Sequence, residues 1–122
     1  MKVRGIRGGI SVENNSKGAI LSATKKILKE MVKANSVEVD DICSVIFTVT
    51  DDLNATFPAV AAREMGWRYV PMLCLTEMSV PDGARGILRV LMHVNTTKSM
   101  KEIKHIYLKR AANLRPDLAN EE

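Results

Sequence analysis

Aromatic side chains are scarce in this chain, with two Phe, two Tyr and one Trp among 122 residues, so its core must rest on Val, Ile, Leu and Met. There are only two cysteines, Cys43 and Cys74, and their spacing suits neither a metal site nor a disulfide framework. No segment approaches the roughly 20 apolar residues of a membrane span, and the opening stretch has no apolar run of signal-peptide length. These absences set the expectation of a cytoplasmic protein without membrane contact. The glycines of Arg4-Gly-Ile-Arg-Gly-Gly9 make neither a P-loop nor a GxGxxG turn. Nor is charge of one sign in large excess: 18 basic residues against 14 acidic leave +4. Lys25, Lys26, Lys29 and Lys33 cluster on one helical segment, but without the interleaved aromatics on which single-stranded nucleic acid stacks. That cluster reads as a solvated face. His93 and His105 are too far apart for a helical metal pair and have no carboxylates grouped with them, so both read as ordinary packed or surface residues.

The composition, 46% apolar and 26% charged, is that of a globular protein, and the length is that of one domain spanning 1–122. Lys2 to Gly8 reads as a first strand. Asn14, Asn15 and Ser16 offer N-caps for a helix reaching about Asn35, with Ile20, Ala23, Ile27, Leu28, Met31 and Val32 as its apolar stripe. Cys43 to Thr50 is a β-branched strand. Phe57-Pro58 opens a short helix that stops at Gly66. Tyr69 to Leu75 is a third strand in which Pro71 marks an edge or a terminus. Ile87 to Asn95 is a fourth, and Pro116 ends a short helical pattern near the C-terminus. The order βαβαββ predicts an α/β (α+β) fold, a single mixed sheet with helices on one face.

Alternation along Ile87–Asn95 places Leu88, Val90, Met92 and Val94 on one face and Arg89, Leu91, His93 and Asn95 on the other. A guanidinium keeps its charge, so Arg89 in the middle of a sheet needs an anion, either a carboxylate of the protein or one of a substrate. Leu91 beside it makes the same face too apolar to meet water as a flat surface. A second copy of the chain is the economical cover. Arg4, Arg7, Arg63 and Arg115 are further guanidiniums at strand, helix and tail positions. Planar forks that converge recognise carboxylates and phosphates. Cys74 has no His near it in sequence to form a thiolate, and Glu77 sits three residues on, in a loop where a carboxylate can project into a cleft.

The segments Arg4-Gly-Ile-Arg-Gly8, Ile46-Phe-Thr-Val-Thr-Asp-Asp-Leu53, Phe57-Pro-Ala59 with Arg63, and Tyr69-Val-Pro71 follow one another in order. Cys74, Glu77-Met78, Ile87-Leu-Arg-Val90, His105-Ile-Tyr-Leu108 and Leu114-Arg-Pro-Asp-Leu118 complete the series. Together they resemble the small monofunctional chorismate mutases of the AroH class, over nearly the whole chain. The resemblance implies a cofactor-free isomerase that converts chorismate to prephenate by a Claisen rearrangement in aromatic amino-acid biosynthesis. It implies a homotrimer with a pseudo α/β barrel at its centre and active sites in clefts between subunits.

By the same resemblance, Arg89 reaches the ether oxygen and a carboxylate, and Arg7 and Tyr107 bind the side-chain carboxylate. Glu77 accepts from the ring hydroxyl, with Cys74 as an auxiliary contact. Phe57 and Leu114 are apolar walls. Arg63 and Arg115 are outer arginines that draw in the dianion, and the tail from about 116 is expected to order on binding. Two other readings stand beside this one. Imine deaminases share the architecture, the trimer and an arginine in an inter-subunit cleft. A non-catalytic protein that binds an anionic metabolite or nucleic acid is the second.

Overall fold

Residues 1–113 are described by the computed structural model. Its strands are β1 (Lys2–Ser11), β2 (Ile42–Val49), β3 (Met72–Thr76), β4 (Ile87–Thr96) and β5 (Ile106–Leu108), and its helices are α1 (Lys17–Asn35) and α2 (Ala59–Glu64). They form one mixed sheet in the order β3-β2-β4-β1-β5. The pairs β1–β4 and β2–β4 are antiparallel, while β1–β5 and β2–β3 are parallel. The expected order holds through β4. A fifth strand follows it, three residues long and paired to Gly8–Ile10.

One face of the sheet carries Ile6, Ile10, Val45, Phe47, Leu88, Val90, Met92 and Val94, all buried. They meet the stripe of α1, where Ile20, Ile27, Leu28 and Met31 are shut off from solvent. Ser16 starts that helix: its Oγ accepts from the Ala19 N–H at 3.1 Å and satisfies one of the free donors of the first turn. Ser36, in the left-handed region at φ 52°, ends it. Lys33 stands in the last turn, where a cation suits the helix dipole.

The closeness of α1 to β1 depends on Gly8. A Cβ there would run into the Met31 sulfur and come within 3.1 Å of Ile27 Cγ1, both in the packed core. Gly8→Ala is therefore expected to cost roughly 1–3 kcal/mol by overpacking, seen as a lower denaturant midpoint at unchanged slope.

Asn35, buried at the end of α1, fixes the far edge of the sheet. Its Nδ2 donates to the carbonyls of Met31 and Lys104, and its Oδ1 accepts from the Lys104 N–H at 2.8 Å. This sets the chain just before β5, and the Arg7 N–H donates to His105 Nδ1 at 2.9 Å beside it. Tyr107 follows in a fixed place. Pro71 lies immediately ahead of β3, which is the edge strand opposite β5, and its carbonyl accepts from the Val45 N–H. Tyr69 is outside the strand expected to contain it and is exposed.

At the start of β4, Asp52 Oδ1 accepts from the Gly86 N–H and Thr50 Oγ1 from the Ile87 N–H. Burial alone would raise the Asp52 carboxyl. The Thr50 side chain, the Gly86 N–H and the Arg85 guanidinium outweigh it and hold the group below its ordinary value. Gly86 takes φ +66°, and a Cβ there would press on the Val12 carbonyl. The register of β4, and with it the position of Arg89, is pinned at this end.

Candidate active site

The face of the sheet away from the helices is laid out in rows by the strand register. Thr48 of β2 stands opposite Arg89 of β4, Arg89 opposite Gly9 of β1, and Gly9 beside Tyr107 of β5. The next row holds Ile46, Leu91 and Arg7. Alternation in three neighbouring strands thus delivers Arg7 and Arg89 to one surface from opposite directions of the chain. Gly9 leaves the space that the Tyr107 ring occupies, since a Cβ there would come within 3.0 Å of Tyr107 Cδ1.

Glu77 reaches the same surface from β3. Its N–H donates to the Val49 carbonyl at 2.7 Å, which carries the ladder one step past the paired part of the strand and keeps Glu77 on the Leu75 side of the sheet. The carboxylate then meets Arg89, Nε to Oε2 at 2.8 Å. Half of the Arg89 side chain remains open to solvent, with 45% of its area exposed, so its charge is available to a ligand as well as to Glu77. A cavity of about 280 Å³ opens here, lined among others by Arg7, Thr48, Glu77, Arg89, Leu91 and Tyr107. Two guanidiniums, one carboxylate and a phenol around an apolar floor suit a compact anion that also carries a hydroxyl.

Cys74, Phe57 and Arg63 do not join this cavity. Cys74 pairs with Phe47, on the helix-covered face of β3. It is half-buried near the Ala59 N–H and Arg63, and burial pushes its thiol up against the pull of both. A group so placed stays a neutral thiol at physiological pH and is a poor nucleophile. Phe57, just ahead of α2, is 67% exposed, and Arg63 on α2 is exposed too. Phe57, Arg63 and Cys74 thus form a second group around α2, and none of them lines the Arg89 cavity. Leu114 and Arg115 lie outside the described residues.

Reading the sequence by segments missed Thr48, which lines the cavity through its register with Arg89. The same alternation that singled out Arg89 would have found it, had the pairing of Cys43–Thr50 with Ile87–Asn95 been known. His93, expected as an ordinary packed residue, bonds Ser44 Oγ at 2.9 Å on the same face.

The geometry can be set beside proteins of known activity. The family model of chorismate mutase type I matches residues 3–118. The chain belongs to that family. It is 41% identical over 120 residues to chorismate mutase AroH of Bacillus subtilis, covering 98% of this chain and 94% of the relative. To chorismate mutase AroH of Thermus thermophilus it is 44% identical over 117 residues, covering 95% and 96%. A chorismate mutase from Clostridium thermocellum superposes with a TM-score of 0.89 at 49% identity, over 90% of this chain and 98% of that one. The fold, the family and the isomerase class expected from the sequence all stand.

Proposed function

We propose that the Arg7, Glu77, Arg89 and Tyr107 cavity is the half of the active site in which this chorismate mutase rearranges chorismate to prephenate. The observation that carries this reading is the convergence of those four side chains on one face of the sheet. The reaction breaks a C–O bond and makes a C–C bond within one molecule, and it needs neither a nucleophile nor an obligatory proton transfer. The protein has to hold a flexible dianion in its compact conformer and to stabilise the charge that appears as the ether bond breaks. A million-fold acceleration corresponds to about 8 kcal/mol of preferential transition-state binding, which a few charged contacts in a dry cleft can supply.

In this reading Arg89 faces the ether oxygen, where negative charge gathers, and a neighbouring carboxylate. Arg7 and Tyr107 hold the side-chain carboxylate. Glu77 accepts from the ring hydroxyl and favours positive charge growing on the ring. Phe57, Arg63 and Cys74 serve the site of a neighbouring subunit, with Leu114 and Arg115 of the tail closing over it. A homotrimer is supported by two observations. Val3, Leu73 and Leu75 are strongly exposed apolar residues on strands of the sheet, which another copy can cover. The expected site residues fall into two groups on different faces of one chain, and a closed ring of heterologous contacts brings such groups together. A cytoplasmic location fits a chain with no helix, among the described residues, long and apolar enough to cross a membrane.

The test is chorismate disappearance followed in the ultraviolet, with Arg89→Ala in parallel. Saturable conversion to prephenate that vanishes in the variant is the expected result. Full turnover in Arg89→Ala would remove the cavity from the reaction. Cys74→Ser is expected to keep wild-type activity within a few-fold, and wild-type kcat is expected to stay level between about pH 7 and 8, because burial raises the thiol above its ordinary value and keeps it mainly protonated there. A loss of two orders of magnitude in that variant would give the thiol a direct chemical role.

A further inference from the structure

Thr48 has a hydroxyl that no group among the described residues engages. Its Oγ1 is shut off from solvent and has no hydrogen-bond partner among the described residues. Valine has the same shape and would avoid the cost, about 1–3 kcal/mol, of burying an unpaired hydroxyl in a strand. The position of that hydroxyl is specific. Thr48 stands directly opposite Arg89 in the antiparallel register and beside Leu75 in the parallel one, two residues before Glu77. Side chains opposite one another on one face have Cβ atoms ~5 Å apart. Thr48 therefore shares its cavity wall with both members of the Arg89–Glu77 ion pair. Glu77 Oε2 is also closed to solvent, touched by Arg89 Nε at 2.8 Å and by no further donor among the described residues. An idle donor and an under-supplied acceptor thus lie in one cavity, with the guanidinium that substrate must engage.

We propose that Thr48 is a positioning residue for Glu77. When the substrate's anionic oxygens take up the outer N–H groups of Arg89 and weaken its hold through Nε, the Thr48 hydroxyl donates to the Glu77 carboxylate as a second partner. The carboxylate is then held toward the ring hydroxyl instead of following Arg89 or turning out to water. This deepens the site reading above and rests on its assignment of Glu77 and Arg89. It also gives the buried hydroxyl its partner at the stage when the site is occupied.

The experiment compares Thr48→Val, Thr48→Ser, Glu77→Gln and the Thr48→Val/Glu77→Gln double variant, with chorismate as substrate. Thr48→Val is expected to melt no lower than wild type, to keep KM within about threefold, and to lose about tenfold in kcat, the worth of one hydrogen bond to a charged group. Thr48→Ser should restore kcat to within about twofold, and in the Glu77→Gln background Thr48→Val should have little further effect. Wild-type kcat in Thr48→Val would overturn the proposal. So would a Thr48→Ser variant as impaired as the valine one, a comparison that also decides the matter with Thr48→Ala should Thr48→Val not fold. Loss of activity in Glu77→Gln beside an unaffected Thr48→Val removes Thr48 alone, whereas an unimpaired Glu77→Gln removes the Glu77 assignment and this role together.

Discussion

Replacing Arg89 by lysine is expected to lower kcat by about three orders of magnitude while KM changes only several-fold. The charge survives the substitution, but the fork does not. Arg89 has to satisfy Glu77 on one side, through the 2.8 Å Nε contact, and substrate oxygens on the other. A guanidinium does both because its five N–H groups lie in one plane and point in fixed, divergent directions. An ammonium on a shorter stem is a point charge and will settle on the nearer carboxylate, Glu77. Two charge-assisted hydrogen bonds made chiefly in the transition state would then be missing, about 2 kcal/mol each, and together they correspond to a loss near a thousand-fold. In the proposed site, ground-state attraction depends less on this residue, because Arg7 lines the same cavity and keeps its charge. The variant should fold, since the Arg89 side chain is half exposed and lies on the face away from the core. Steady-state kinetics beside a thermal melt checks both parts. Near-normal kcat in Arg89→Lys would show that charge alone suffices and that the planar fork is not used.

The position of Arg89 was legible in the sequence because it follows from local alternation. Leu88, Val90, Met92 and Val94 are buried and Arg89 points the other way, as the period of two requires. The boundaries of α1 were legible for the same kind of reason: Ser16 caps the start and the apolar stripe fixes the buried face. Pro71 marked its place at the edge of the sheet. What stayed hidden depends on which distant segments pair. The strand Ile106–Leu108 has three residues and no period long enough to see. It exists because β1 offers it an edge and because Asn35 holds Lys104 beside the end of α1. The division of the expected residues into two groups was hidden too. Cys74 and Glu77, three positions apart, fall on opposite faces by alternation alone, Cys74 beside Phe47 and Glu77 meeting Arg89. What alternation does not say is that Arg63 lies near Cys74, which depends on where α2 packs. Thr48 went unseen on the same ground, since nothing in Ile46-Phe-Thr-Val says which residue will stand across from it.

That division leads to the second large effect, the recovery of activity from two inactive chains. Arg89→Ala disables the group on the open face, and Phe57→Asp combined with Arg63→Ala disables the group around α2. Each variant alone is expected to retain less than about one per cent of wild-type kcat, the first for want of charge stabilisation and the second because an added carboxylate repels a dianion. Both should still fold, since Arg89, Phe57 and Arg63 are all exposed side chains. If each site takes one group from one subunit and the other group from its neighbour, equal amounts unfolded and refolded together give intact sites in about a quarter of positions. Activity should rise to about that fraction of the wild-type value. If both groups of a site came from one chain, no mixing could create an intact site and the mixture would stay inactive. An affinity tag on one of the two chains shows whether the refolded assemblies are mixed, and a companion mixture tests the arrangement a second time. When wild type is refolded with a chain carrying all three substitutions, about a quarter of sites are intact in the shared arrangement and about half in the single-chain arrangement. A dead first mixture together with a half-active second one, in assemblies that the tag shows to be mixed, would return Phe57 and Arg63 to the chain that carries their own Arg89. The two mixtures converging on a quarter would mean that the uncovered face of the sheet is where one subunit completes the chemistry of the next.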